Sequence, residues 1–187
     1  MRPDVIASET ATPVSALSTV AERVAALNAR YRHHGATAVL ERALTDADVG
    51  SVALVSSFGA ESVVLLHLLS VMDRNVPVLF IDTEMLFAET LAYQLELTER
   101  LHLTNVQVVK PDETQVARRD DEGLLHLTDP DACCALRKTE PLERALLPYD
   151  AWITGRKRYQ GRTRQELDFF EAEGTLRIKV NPLVHWT

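Results

Sequence analysis

Cysteine is scarce in this chain: there are two in 187 residues, and they are adjacent, Cys133-Cys134. A disulfide framework is thereby excluded, and a reducing cytoplasm is the natural setting. Long apolar runs are missing as well. The longest, Val63 to Met72, is broken by His67 and Ser70 and falls short of the roughly 20 residues that span a bilayer, so no membrane role is expected. The N-terminus, MRPDVIASETATPV, has one arginine and no apolar core, unlike a secretory signal. Basic residues are the minority, 20 Lys+Arg against 27 Asp+Glu for a net charge of −7, which argues against bulk nucleic-acid binding. With 7 Gly and 8 Pro, neither a collagen-like repeat nor a low-complexity linker is present.

What remains is the composition of a globular protein, 46% hydrophobic and 25% charged, long enough for one domain with its own core. Residues 1–13 lack periodicity and read as a loose arm, leaving 14–187 as a single domain. Val14, Leu17, Val20, Val24, Leu27 and Tyr31 mark one face of a helix, with Gly35 as its C-cap. A second helix runs through Val39, Leu40 and Leu44. Short apolar runs at 51–56, 78–81, 106–109, 152–154 and 175–180 read as strands. Between them, 61–72, 87–101, 113–122 and 131–147 read as helices, the last containing Pro141. Strands alternating with helices predict an α/β fold, a mostly parallel twisted sheet flanked by helices. Ligands of such sheets bind at the carboxyl ends of the strands.

Three segments carry candidate chemistry. In Val52-Ala-Leu-Val-Ser-Ser-Phe-Gly-Ala-Glu61, a strand passes through Ser56, Ser57, Phe58 and Gly59 directly into a helix. The free N–H groups of a first helical turn attract anions. The Lys-Ser/Thr pair of a Walker A loop is lacking, and taken alone the turn reads first as a plain serine-capped βα connection; the two later segments shift that balance. The second segment is Asp131-Ala-Cys-Cys-Ala-Leu-Arg-Lys138. Adjacent thiolates suit a soft metal or an iron–sulfur cluster, and Arg137 and Lys138 favour thiolates one turn away; two small core residues are the alternative. The third is basic. Residues 137–164 hold eight basic against three acidic residues, an excess of five positive charges, whereas 82–131 holds twelve acidic against four basic, an excess of eight negative. Gly155-Arg-Lys-Arg-Tyr-Gln-Gly161 follows a strand, where arginine forks grip oxyanions; a solvated basic loop is the alternative.

Together these segments resemble the assimilatory adenylyl-sulfate and phosphoadenylyl-sulfate reductases, of the adenine-nucleotide α-hydrolase-like, PP-loop group. The resemblance rests on Ser56-Ser-Phe-Gly-Ala-Glu61, Leu79-Phe-Ile-Asp-Thr83, Asp131-Ala-Cys-Cys-Ala-Leu-Arg-Lys-Thr-Glu-Pro-Leu142, Ile153-Thr-Gly-Arg-Lys-Arg-Tyr-Gln160, Lys179-Val-Asn-Pro-Leu183 and His185-Trp186. It covers roughly residues 50–187, and Cys-Cys-x-x-Arg-Lys is its specific element.

The resemblance implies thiol-dependent reduction of adenylyl sulfate to sulfite and AMP through a cysteine S-sulfo intermediate, with thioredoxin or another thiol as reductant. It implies substrate contacts at Ser56, Ser57, Phe58, Gly59, Asp82, Thr83, Leu86, Phe87, Lys138, Gly155, Arg156 and Arg164. It makes Cys133 and Cys134 two ligands of a [4Fe–4S] cluster, the mark of the adenylyl-sulfate branch, with Lys138 linking cluster and substrate. No nicotinamide or flavin is implied, and a homo-oligomer is allowed.

Two departures stand out. The family usually has glycine after the Asp-Thr pair, where this chain has Glu84; an acid there must turn toward solvent or a base. The family's second cysteine pair and its nucleophilic cysteine would fall beyond Thr187. On this reading no catalytic residue lies in the chain, two of four cluster ligands are missing, and the chain by itself is inactive. The competing readings are a phosphoadenylyl-sulfate reductase, another PP-loop nucleotide enzyme, and a non-catalytic nucleotide-binding remnant.

Overall fold

The computed structural model describes residues 18–158 and 167–186. The arm at 1–13, the expected helical positions Val14 and Leu17, and Arg164 lie outside them. Helix α1 (Val20–Tyr31) begins at a capping box, in which the Thr19 hydroxyl accepts the Glu22 N–H while Glu22 accepts the Thr19 N–H. It ends at Arg32, not at Gly35. Gly35 instead precedes α2 (Ala36–Thr45) as its N-cap, because the two helices are separated by only a short turn and the glycine opens the second.

From there strand and helix alternate. Strand β1 (Val52–Ser56) leads to α3 (Ala60–Met72), β2 (Val78–Ile81) to α4 (Ala88–Arg100), and β3 (Val106–Val109) to α5 (Glu113–Arg119). The short α6 (Leu125–Thr128) follows. A helical run then covers 130–145 in three parts: α7 (Pro130–Cys134), a π-helical turn (Ala135–Thr139) and α8 (Glu140–Ala145). The chain finishes with β4 (Ala151–Ile153), β5 (Phe170–Glu173) and β6 (Arg177–Val180).

Pro141 accounts for the π turn. Proline has no N–H to donate to the carbonyl four residues back, at Arg137, and its ring collides with that carbonyl. The helix widens instead of breaking, and the Glu140 N–H donates to the Ala135 carbonyl five residues back. The expected single helix over 131–147 is thus one run with a widened middle.

The six strands form one sheet in the order β3-β2-β1-β4-β6-β5. All neighbours are parallel except β5 with β6, an antiparallel pair at the edge. The sequence reading missed β5 and started its last strand at Thr175. Residues 170–180 are in fact a hairpin turning at Gly174, which adopts φ +58. One face of the sheet presents Leu54, Val78, Phe80 and Ile153 to a core built with α1–α4; the other presents Ala53 and Leu79 to Leu142 and Leu146. Apolar burial on both faces is what a parallel sheet requires.

Candidate functional site

From β1 the chain winds outward to β2 and β3, then returns to place β4 on the other side of β1. The carboxyl ends of β1 and β4 therefore diverge, and a crevice opens between their loops. A cleft of about 580 Å³ occupies that place, lined among others by Ser56, Ser57, Gly59, Thr83, Lys138 and Arg156. Its size is that of a small-ligand site.

The β1–α3 turn supplies uncharged donors. Ser56 is buried, and its hydroxyl accepts the Phe58 N–H at 3.1 Å. Phe58 adopts φ +54, a conformation that L residues rarely hold. Its ring is packed edge-on against Phe80, 5.3 Å between centroids, and is 1% exposed. The ring thus anchors the turn from the core and does not face the cleft; any ligand contact from Phe58 comes from its backbone. Gly59 is the N-cap of the 13-residue α3 and offers no side-chain cap; the Ser62 N–H turns back to the Gly59 carbonyl at 2.8 Å, and Gly59 and Ser62 both line the cleft.

The loop after β2 divides its residues. Thr83 and Leu86 line the cleft. Asp82 is buried beneath it, accepting the Glu84 N–H at 2.9 Å. Phe87, the N-cap of α4, is 79% exposed and lies outside the lining. Glu84 adopts φ +60, the left-handed conformation that glycine holds without strain. Its carboxylate turns to Lys110 at 3.5 Å, which also stands 3.7 Å from Asp82. Lys110 is thus the base that compensates this acid.

The opposite rim carries charge. Gly155 and Arg156 follow β4 and line the cleft. Arg156 donates to Glu171 at 3.0 Å, and Asn181 donates to the same carboxylate oxygen at 2.8 Å, so part of the Arg156 charge is offset within the chain. Lys138 reaches the cleft from the π turn and has no ion-pair partner among the described residues. The sequence reading missed Ser62, Leu142, Trp152 and Thr154 in the lining. Trp152 and Thr154 alternate at the end of β4, a period-2 signal too short to see in a three-residue strand.

A second cavity of about 240 Å³ adjoins the first. Cys133, which is buried, and Cys134, which is exposed, both line it; Thr83 and Lys138 belong to both cavities. As a donor set for a four-thiolate cluster the two thiols form half. Among the described residues no group of three or more His, Cys, Asp or Glu side chains is arranged to hold a metal ion. Both thiols share that cavity with Arg137 and Lys138.

A family profile described as phosphoadenosine phosphosulfate reductase domain matches residues 51–187. The chain belongs to this family. Family membership covers the cleft, the π turn and both cysteines, all within the matched span. Among curated proteins, the adenosine 5'-phosphosulfate reductase of Mesorhizobium japonicum is 49% identical over 168 residues, which are 90% of this chain and 66% of that protein. The protein of the same name from a Chelativorans species is 48% identical over 86% of this chain and 66% of its own length. The chain thus spans just under two thirds of these relatives. Among solved structures, the phosphoadenylyl-sulfate reductase of Candida auris, a phosphate complex, superposes with a TM-score of 0.73 at 27% identity, covering 94% of this chain and 84% of that one. The mostly parallel sheet flanked by helices is the fold this family shares, of PP-loop type.

Proposed function

We propose that this chain is the nucleotide-binding domain of an adenylyl-sulfate reductase, with residues 14–187 as one unit. The observation that carries the reading is the position of Lys138: a cation with no described partner, set between a cleft sized for a nucleotide and a cavity that holds two thiols. The names of the relatives point the same way.

In this reading the adenosine lies against the apolar wall of Leu86, Leu142 and Trp152, and the phosphosulfate meets Ser57, the first turn of α3, Lys138 and Arg156. Arg164, outside the described residues, would join the anion loop. A thiolate attacks the sulfur, the bond from sulfur to the bridging oxygen breaks, and AMP leaves with that oxygen, giving an S-sulfocysteine. A dithiol such as thioredoxin then displaces sulfite and becomes a disulfide. Cys133 and Cys134 line the neighbouring cavity and not the cleft, which supports a ligand role for them and a different cysteine as nucleophile. They would hold two corners of a [4Fe–4S] cluster, which when bound supplies a fixed charge beside Lys138. Two free thiols suit a reducing cytoplasm, and among the described residues no helix is long and apolar enough to cross a membrane.

Calorimetric titration of the 187-residue chain tests the reading. Adenylyl sulfate and AMP are expected to bind more tightly than adenosine, and adenylyl sulfate more tightly than phosphoadenylyl sulfate. Preference for the latter would make this a phosphoadenylyl-sulfate site. Preference for ATP with release of pyrophosphate would make it another PP-loop enzyme, and both outcomes overturn the proposal.

A further inference from the structure

We infer that Arg137 is a positioning residue that acts through Lys138, locking the π turn onto the loop after β2 so that the Lys138 ammonium stands at the cleft. The inference rests on the reading of that cleft as an adenylate site and adds to it a residue that never touches the ligand.

Arg137 is 7% exposed and lines the thiol cavity but not the cleft. Three of its donors are committed. Nε and Nη2 donate to Asp120 Oδ2 at 3.1 and 2.7 Å, and Nη1 donates to the Thr83 carbonyl at 3.1 Å. Asp120 is itself fixed, because its other oxygen accepts the Leu125 N–H at 2.8 Å at the corner between α5 and α6. The guanidinium therefore joins three segments that are distant in sequence: that corner, the π turn and the cleft-lining loop at Thr83.

A purely structural ion pair needs Asp120 alone. The bond to Thr83 is different, because Thr83 and Lys138 are the two residues that wall both cavities. Lys138 follows Arg137 directly within the widened turn. The lysine has a flexible four-carbon stem with a large rotamer entropy and no described carboxylate to hold its head. Where the ammonium sits is consequently set by its backbone, and the backbone there is held by Arg137. A planar fork satisfies two acceptors in fixed directions; a lysine at the same position is a point charge and cannot do so.

The test is a double-mutant cycle on the whole chain, read as the ratio of AMP to adenosine affinity. Arg137→Lys keeps the charge and most of the stem. The paired variant Asp120→Asn/Arg137→Gln leaves no unpaired buried charge and guards against simple unfolding. Each is combined with Lys138→Ala, and folding is verified by a cooperative melt. In the wild-type background both variants are expected to lower AMP affinity about tenfold, the scale of one misplaced charge-assisted hydrogen bond, with adenosine affinity changed less than about threefold. In the Lys138→Ala background neither variant lowers the ratio further. An unchanged ratio in folded variants, or equal losses with and without Lys138, makes Arg137 a structural residue and overturns the inference alone. A wild-type chain that binds no AMP overturns it together with the nucleotide reading.

Discussion

Arg30 and Arg137 are each held between helices by aspartates, yet the two clusters serve different ends. Arg30 donates to Asp46 at 2.6 Å and to Asp48 at 2.9 Å, and its guanidinium lies 5.8 Å from the Tyr31 ring centroid. The Tyr31 hydroxyl and the Asp48 N–H also donate to Asp46. Every partner belongs to α1 or to the link from α2 to β1, on the side of the sheet away from the carboxyl edge. Arg137 is likewise paired with a buried aspartate, Asp120, but a further donor reaches the Thr83 carbonyl in the cleft wall. Burial and pairing alone do not separate a staple of the fold from a part of the site. The destination of the last hydrogen bond does.

The largest effect expected from this contrast is on stability. Asp46→Ala strips a carboxylate that accepts from Tyr31, Asp48 and Arg30. It is expected to cost about 3 kcal/mol, lowering Tm by roughly 6–12 °C in a domain of this size, with AMP affinity within about twofold of wild type. Differential scanning calorimetry and AMP titration read the two quantities separately. A parallel loss of AMP affinity would erase the contrast between the clusters.

Lys138→Ala is the reciprocal case. The side chain is exposed and unpaired among the described residues, so Tm is expected to stay within about 2 °C, as for surface substitutions generally. Affinity for AMP and adenylyl sulfate is expected to fall roughly ten- to a hundredfold, the loss of a charged hydrogen bond. Adenosine, lacking the anion, is expected to change less than about threefold. Equal losses for all three ligands would remove Lys138 from the anion site.

Ser56→Ala sharpens the picture of the uncharged rim. The hydroxyl accepts the N–H of Phe58, whose φ of +54 is held by that bond and by ring packing on Phe80. Loss of the acceptor leaves a buried donor without its partner, at a cost of about 1–2 kcal/mol. Urea unfolding measures it, and a weaker AMP affinity is expected alongside because the turn loosens. A stability loss with AMP affinity intact would assign Ser56 to the fold alone.

Most of this architecture was legible because the sheet is parallel and buried. Apolar runs such as Val78–Ile81 announce themselves, and the helices between them have the spacing that a crossover demands. The hairpin at β5–β6 was half hidden, since the Phe170–Glu173 strand alternates over only four residues. The motif residues at the turn after β1 were legible as a group, but not which way each would face. Nothing local reveals that Phe58 turns into the core while its neighbours Ser57 and Gly59 face the cleft; the positive φ decides it. Pro141 was visible inside a helical pattern, yet its consequence, a wider turn carrying Arg137 and Lys138, depends on the helix continuing on both sides. The partnership of Arg137 with Asp120 spans a corner that no periodicity predicts.

The last distinction between the clusters is their response to acid, and it is the smallest. Burial pushes the Asp46 carboxyl up, but the Tyr31 hydroxyl, the Asp48 N–H and Arg30 outweigh it and hold it below the ordinary value. At Asp120 the Leu125 N–H, then the Arg137 guanidinium, hold the carboxyl down against burial. A carboxyl with a depressed folded-state value binds fewer protons folded than unfolded. Its contribution to stability is complete above the unfolded value, about 3.9, and is lost as pH falls through the folded one. Both clusters therefore contribute almost fully at pH 5, and each weakens as pH falls below about 4 toward its own lowered folded-state value. Asp46→Asn and Asp120→Asn each remove one proton uptake from that transition, so each variant should lose less of its remaining stability between pH 5 and pH 3 than the wild type does. Urea midpoints at the two pH values measure the difference. Should Asp46→Asn keep the wild-type slope while Asp120→Asn flattens it, the acid sensitivity would belong to the cleft-side cluster alone, and acid would loosen the site before the fold.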